Sequence, residues 1–409
     1  MTLDTHGMSK SEPEQNRRTL LAGIGGLAAG ALLVGKASAG PLDPPAGPIE
    51  STGKTLSDVE PRIAINSTNT PGDTDSVYRI SSGGSYYLTG NVFASTGKSA
   101  IEIAASNVTI DLSGYSITSI SALPAIRLSL GGRTNISIRN GHIGPAGAGG
   151  GIDLTPASGT QTAGGSIENV HVTSTGGAGI RVGDGVVLIG CTASKNGLYG
   201  FEMGRCCTVT ECAAFDNDAA GFYADIECSI SSCSASDNSG SGFNITLCTI
   251  TGCTANRNGT NGIFAGGSTV SNCMACLNIG NGISADSGSA VINSCCRGNA
   301  GDGINCASDC VIRGNTCSMN DMSGIRAYGS GGDNRIEENH CIRNAVRGID
   351  VAVGGNFILK NSCSGNTINW DIASGNVCFV VQAMTAGLIA GNSGGVSPGS
   401  SNPNANYTI

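Results

Sequence analysis

Apolar residues in this chain come in short bursts, and the bursts recur at a nearly fixed interval. Aligned on Asn196, Asn217, Asn238, Asn258, Asn278, Asn299, Asn320, Asn344 and Asn366, the sequence repeats every 20 to 24 residues. Four positions after each of the first eight stands a glycine, from Gly200 to Gly348. The residue after it is bulky and apolar: Phe201, Phe222, Phe243, Ile263, Ile283, Ile304, Ile325 and Ile349. Eight positions before each asparagine runs another apolar column, from Leu188 to Ile358. Short pieces such as CTVTEC and CSISSC alternate apolar with polar, the period of a strand. One such unit is too thin to bury its own apolar residues. The pattern therefore predicts a solenoid, each unit being one coil of two or three short strands, stacked ~4.8 Å above the last with parallel pairing. The L-x-x-L-x-L run of a leucine-rich repeat and the helical periodicity of ankyrin or TPR units are missing, which leaves an all-β, right-handed parallel β-helix. The asparagines are expected at turns, in left-handed backbone and bonded amide to amide along the stack. The glycines are expected at a second turn that needs positive φ.

Upstream the alternation continues with longer turns, in Ile101-Glu102-Ile103, Val108 to Leu112, Ile126-Arg127-Leu128, Ile136-Ser137-Ile138 and Ile152-Asp153-Leu154. Roughly a dozen coils are expected over residues 61–380. The segment around Pro61 to Tyr87 is expected to cap one end, and residues 381–409 to form a C-terminal cap or tail. Residues 40–60 read as a Pro/Gly-rich linker. Ahead of it, Arg17-Arg18, an apolar Gly-rich run from Leu20 to Gly35, and Ala37-Ser38-Ala39 resemble a twin-arginine signal over residues 1–39. An exported protein is expected, periplasmic, cell-surface or extracellular, with no membrane span in the mature chain.

Composition narrows the picture. With 409 residues, 64 glycines, 4% aromatic and 13% charged residues, the chain lacks material for one bulky core and suits a thin core repeated many times. The net charge of −8 argues against a nucleic-acid partner. The 18 cysteines fall in register. Five positions before the repeat asparagine come Cys191, Cys212, Cys233, Cys253 and Cys273, with alanine at minus three. In the last four coils minus three becomes Cys296, Cys317, Cys341 and Cys363. This reads as a small buried residue supplied from either of two neighbouring sites. Reduced, core-packed thiols are expected, because stacked strands give poor disulfide geometry. No histidine has metal-ligand spacing with a cysteine pair, so no metal and no cofactor is expected.

YYLTGNV (Tyr86 to Val92), NVTIDLSGYSI (Asn107 to Ile117) and NISIRNGHI (Asn135 to Ile143) resemble the opening coils of bacterial right-handed parallel β-helix repeat proteins of the pectin-lyase-like superfamily. The resemblance covers about residues 60 to 409 and implies the fold. It implies no single activity, since lyases, hydrolases, epimerases and adhesins share that fold.

Candidate chemistry lies on the residue after each inward Phe or Ile, which must face out. That column reads Arg181, Glu202, Tyr223, Asn244, Phe264, Ser284, Asn305, Arg326 and Asp350. Aromatic faces stack on sugars, and amides or arginines fork onto hydroxyls and uronate carboxylates. A polysaccharide lying along the column is the expected partner. A polysaccharide lyase, hydrolase or epimerase, and a structural or adhesive solenoid, are the alternatives. The clustered aspartates used for Ca²⁺ by lyases of the fold find no counterpart in the sequence. Asp216, Asp218 and Asp237 read as turn residues, and Glu337-Glu338 with Arg335, His340 and Arg343 as solvated surface. Thr208/Thr210, Ser229/Ser231, Thr249/Thr251 and Thr269/Ser271 form short hydroxyl columns on another face. Their T-x-T spacing is shared with ice-binding solenoids, but suits exposed strands in general.

Overall fold

A computed structural model describes residues 60–129, 132–155, 164–382, 389–391 and 402–408. The expected signal, and all of the expected linker except Glu60, lie outside these residues. The fold is a right-handed parallel β-helix. One sheet has fifteen strands, from Ser76–Ile80 to Ile389–Gly391, and the remaining twenty-eight strands join in a second, continuous sheet. The coil built from Phe201–Met203, Thr208–Thr210 and Ala213–Phe215 pairs residue for residue with Phe222–Ala224, Ser229–Ser231 and Ser234–Ser236 of the next. Fifteen rungs at this spacing make a rod ~70 Å long. Among the described residues no helix is long and apolar enough to cross a membrane.

The rung count exceeds the expected dozen because both ends join the stack. Ile63–Ile65 pairs in parallel with Gly84–Leu88, Gly84–Leu88 with Val108–Asp111, and Ser76–Ile80 with Ser99–Ile103, so the segment expected as a cap joins the stack. At the other end Asn406–Thr408 pairs with Ser362–Ser364.

The core is a set of vertical columns. Phe201, Phe222 and Phe243 stack face to face, with ring centroids 4.7 and 4.8 Å apart. Isoleucines continue their column, and Trp370 occupies the last described rung whose side chain is described. The column from Leu188 to Ile358 is fully buried. Each such side chain contributes about 1.5–3 kcal/mol on leaving water, and only the neighbouring coils make that burial possible.

The corners differ from expectation in an instructive way. The repeat asparagines are not left-handed; the residue before each of them is. Lys195, Asp216, Asp237, Arg257, Leu277, Met319 and Arg343 have φ between 52 and 58°. That geometry frees the asparagine to point into the stack. The backbone N–H of Asn196 donates to Oδ1 of Asn217 at 3.1 Å, and the step repeats from Asn217 to Asn238, Asn258, Asn278, Asn299, Asn320, Asn344 and Asn366 at 2.8–3.2 Å. Each amide nitrogen also donates onward, as Asn217 Nδ2 does to Asn238 Oδ1 and to the Ala193 carbonyl. The glycines four residues on do not need positive φ either. They are required by closeness: a Cβ on Gly303 would lie 2.5 Å from the Gly324 carbonyl oxygen.

Two further corners per coil follow the same rule, and here the cysteine columns separate. The minus-three site is core: Cys296, Cys317, Cys341 and Cys363 replace alanine there and are fully buried. The minus-five site is instead a ladder. Cys212 N–H donates to Cys233 Sγ at 3.4 Å, Cys273 N–H to Ser294 Oγ at 3.2 Å, and Ser294 N–H to Asn315 Oδ1 at 2.8 Å. Asn339, Asn361 and Asn406 continue it. A third ladder runs in segments, from Cys207 to Cys228, from Cys248 through Ser268 to Ser289, and from Cys310 through Asn334 and Asn356 to Asn376. The columns that looked like one interchangeable packing site are thus two sites. In one of them thiol, hydroxyl and amide do the same job, accepting an N–H from the coil before.

All eighteen cysteines are unpaired thiols, fifteen of them buried, and only Cys206, Cys276 and Cys295 reach the surface. A thiol reagent added to native protein is therefore expected to modify three cysteines, with the rest reacting only on unfolding. All three thiols are pushed up, Cys206 by its contact with Glu227 and Cys276 and Cys295 by burial, so modification should be faster at alkaline pH. Counting modified thiols by mass spectrometry before and after denaturant checks this; fast loss of more than three would contradict the ladder assignment.

Candidate functional site

The fifteen-stranded sheet is the surface that carries the expected column. Arg181, Glu202, Tyr223, Asn244, Phe264, Ser284, Asn305, Arg326 and Asp350 are direct partners on successive strands. The line continues beyond both ends. Arg79, Glu102, Arg127 and Asp153 precede Arg181, and Asp371 follows Asp350. The four earlier members were not read from the sequence. Their signal is present in the triplets YRI, IEI, IRL and IDL, each a charge between two apolar residues.

The amino-terminal part alternates in sign: Arg79, Glu102, Arg127, Asp153, Arg181, Glu202. Adjacent rungs pair these charges. Arg79 Nε lies 3.2 Å from Glu102, Arg127 also contacts Glu102, and Arg181 lies 3.8 Å from Asp153 and 3.1 Å from Glu202. The carboxy-terminal part does the same, with Arg326 3.6 Å from Asp350 and Arg347 bridging Asp350 and Asp371 at 3.4 and 2.7 Å. Two clefts open on the charged half. One, of about 450 Å³, is lined by Leu123, Arg127, Asp153 and Arg181; the other, of about 270 Å³, by Asp73, Asp75, Glu102 and Arg127.

The second cleft holds an acidic cluster that the sequence reading did not find. Asp73, Asp75 and Glu102 bring carboxylate oxygens within 4.8 Å of one another. Two come from the turn before Ser76–Ile80 and one from the strand on the next rung, so no spacing along the chain announces them. Guanidinium groups already neutralise the cluster: Arg127 lies 2.6 Å from Asp75, and Arg79 lies 3.4 Å from Asp73. These three carboxylates are the group best placed to hold a cation, but an ion would have to displace both arginines.

Burial shifts the carboxyls along the line. It pushes Glu102 up, against the pull of Arg127 and with Asp73 and Asp75 adding to the rise. It likewise pushes up Glu202, against Arg181, and Asp350, against Arg347 and Arg326. Asp73 is held low instead, chiefly by the Ser76 hydroxyl. The Glu337 group expected as solvated surface is partly interior: Glu337 is buried and held 2.8 Å from Arg335.

The middle of the line is different. Tyr223, Asn244, Phe264, Ser284 and Asn305 carry no formal charge. Tyr199, from the turn of the coil below, lies beside Tyr223 with ring centroids 5.1 Å apart and planes tilted by 32°. It widens the aromatic surface, and its position three residues before Glu202 gave no cue in sequence. Asn305 Nδ2 donates to the buried Asp302 at 2.9 Å. The Thr/Ser columns belong to the other sheet, where hydroxyls such as Ser231 and Thr210 bond to each other along the stack.

Comparison with known proteins places the fold. Residues 150–295 match the family described as right handed beta helix region. No curated protein matches the chain. Among solved structures, the A-module of the mannuronan C-5 epimerase AlgE4 of Azotobacter vinelandii is similar at 17% identity and a TM-score of 0.51, over 68% of this chain and 86% of that one. The AlgE6 A-module of the same organism is similar at 17% identity and a TM-score of 0.50, over 80% of this chain and 89% of that one. The catalytic unit of an alpha-1,3-glucanase from Streptomyces thermodiastaticus has 11% identity and a TM-score of 0.42, over 86% and 70%. At these identities the likeness to the two A-modules is one of fold.

Proposed function

We propose that this protein is an exported module that binds an extended polysaccharide along the outward line from Arg79 to Asp371. The observation that carries the reading is the straightness of that line. Side chains able to stack on or hydrogen-bond a sugar recur once per rung, and the rung spacing is close to the rise of one sugar in an extended chain. Tyr223 and Phe264, two rungs apart, with Tyr199 beside the first, supply aromatic faces. Export by the twin-arginine route is consistent with eighteen unpaired thiols, because that route carries proteins folded in a reducing compartment.

The double variant Tyr223→Ala, Phe264→Ala is expected to weaken glycan binding about 30-fold, the effect of removing a central aromatic anchor. Its urea midpoint should stay close to that of the parent, since neither ring is part of the buried core. Affinity electrophoresis in gels containing candidate glycans measures the first and urea denaturation the second. Unchanged mobility would reject the site.

A second reading, a polysaccharide-modifying enzyme, draws on Glu202 and Asp350. The buried Asp350 and the half-buried Glu202 both have carboxyl pKa values raised by burial, which suits proton transfer. Release of reducing ends or of an ultraviolet-absorbing unsaturated product from the bound glycan would favour it.

A further inference from the structure

The charge pattern along the line narrows what it can hold. We infer that the line takes an uncharged glycan, seated on the rungs from Tyr223 to Asn305, and discriminates against polyuronates. The inference rests on the binding reading above and names its ligand class.

Three observations carry it. First, every arginine on the line already has a carboxylate neighbour. Arg79, Arg127, Arg181 and Arg326 each lie within hydrogen-bonding or ion-pair distance of a carboxylate on a neighbouring rung. A uronate would have to displace a carboxylate that shares the same surface, so a new pair forms only at the loss of an old one and leaves a half-buried acid unpaired. Second, the line is not positive. Its four arginines face five carboxylates: Glu102, Asp153, Glu202, Asp350 and Asp371. Beside it Asp73, Asp75 and Asp302 add three negative charges and Arg347, Arg133 and Lys98 three positive ones, so the surface has no positive excess. The chain as a whole carries −8, so a polyanion approaches against the field.

Third, the uncharged stretch has the groups a neutral sugar needs. Asn244 is half-buried and its amide has no hydrogen-bond partner among the described residues. Asn261 and Asn281 precede Phe264 and Ser284 by three residues, the offset at which Asp302 reaches Asn305. Their Oδ1 atoms accept backbone N–H groups of Asn281 and Asp302, which fixes the side chains and leaves each Nδ2 to donate to a ligand. Fixed amide donors beside two aromatic faces match hydroxyls and ring C–H groups, and offer no counter-charge to a carboxylate.

The test is affinity electrophoresis of the folded protein in gels containing a soluble β-glucan, a galactomannan, polygalacturonate or alginate, each at low and high salt. Retardation by at least one neutral polymer, insensitive to salt and at least about tenfold stronger than by either polyuronate, is the expected result. The Tyr223→Ala, Phe264→Ala variant should lose it. Retardation mainly by a polyuronate, weakened by salt, would overturn the inference while leaving the binding reading in place. No retardation by any of the four would sink both.

Discussion

Replacing Asn258 with leucine will lower the stability of the rod by about 2–6 kcal/mol, although leucine is apolar and the site is fully buried. The side chain of Asn258 serves two coils. Its Oδ1 accepts the backbone N–H of Asn238 at 3.2 Å and one hydrogen of Asn238 Nδ2 at 3.0 Å. Its Nδ2 donates to the Ala235 carbonyl at 3.2 Å and to Asn278 Oδ1 at 3.0 Å. Leucine leaves two donors of Asn238 facing a dry interior, each costing about 1–3 kcal/mol. A graded comparison isolates the cause. Cys233→Ala removes a thiol acceptor 3.4 Å from the Cys212 N–H at another corner, a weaker bond, and should cost less. Urea denaturation of the two variants and the parent checks the order. Equal midpoints for Asn258→Leu and the parent would mean the ladder is incidental to stability.

Gly303→Ala is expected to be about as damaging, at about 3 kcal/mol or more, for a reason of space alone. An added methyl would meet the Gly324 carbonyl oxygen at 2.5 Å, Asn320 Nδ2 at 2.8 Å and Cys317 Cβ at 3.0 Å. The first contact is backbone, the second is an amide fixed in the ladder, and neither can yield without parting two rungs. Gly288 makes the contrast. It has φ of +76° and open space around its missing Cβ, so alanine there meets only the left-handed penalty of about 1–2 kcal/mol. Urea midpoints of the two alanine variants should differ clearly, with Gly303→Ala the lower. The reverse order would show that backbone angle, not clearance, is why the repeat keeps its glycines.

The columns were legible in the sequence because the coils from Leu188 onward are nearly equal in length. Constant spacing converts directly into vertical neighbours, so the asparagine ladder and the line from Arg181 to Asp350 could be written down from residue numbers. Earlier rungs were not legible because their turns vary: Glu102, Arg127, Asp153 and Arg181 are 25, 26 and 28 residues apart. The acidic cluster was hidden for a different reason, since Asp73 and Asp75 reach Glu102 across a turn and one rung at once. Backbone angles were misassigned because periodicity gives position, not φ. The left-handed column holds Lys195, Asp216, Arg257, Leu277 and Met319, a mixture with no shared side-chain chemistry to flag it. The minus-five cysteines were read as packing because a thiol is small and apolar enough to suit either role.

The bonds of the three ladders all run in one sense, from the backbone of one coil to a side chain further along the chain. The rod therefore has a grain. As the chain leaves the ribosome, the newest coil always presents a row of N–H groups whose acceptors have not yet been synthesised, and each added coil settles the debt of its predecessor while opening its own. Shortening the protein from the front leaves a row of side-chain acceptors without their N–H groups, whereas shortening it from the back strands a row of backbone donors. Asn369, Asn376 and Asn406, which accept from Asn366, Asn356 and Asn361, are the last acceptors of the three rows among the described residues.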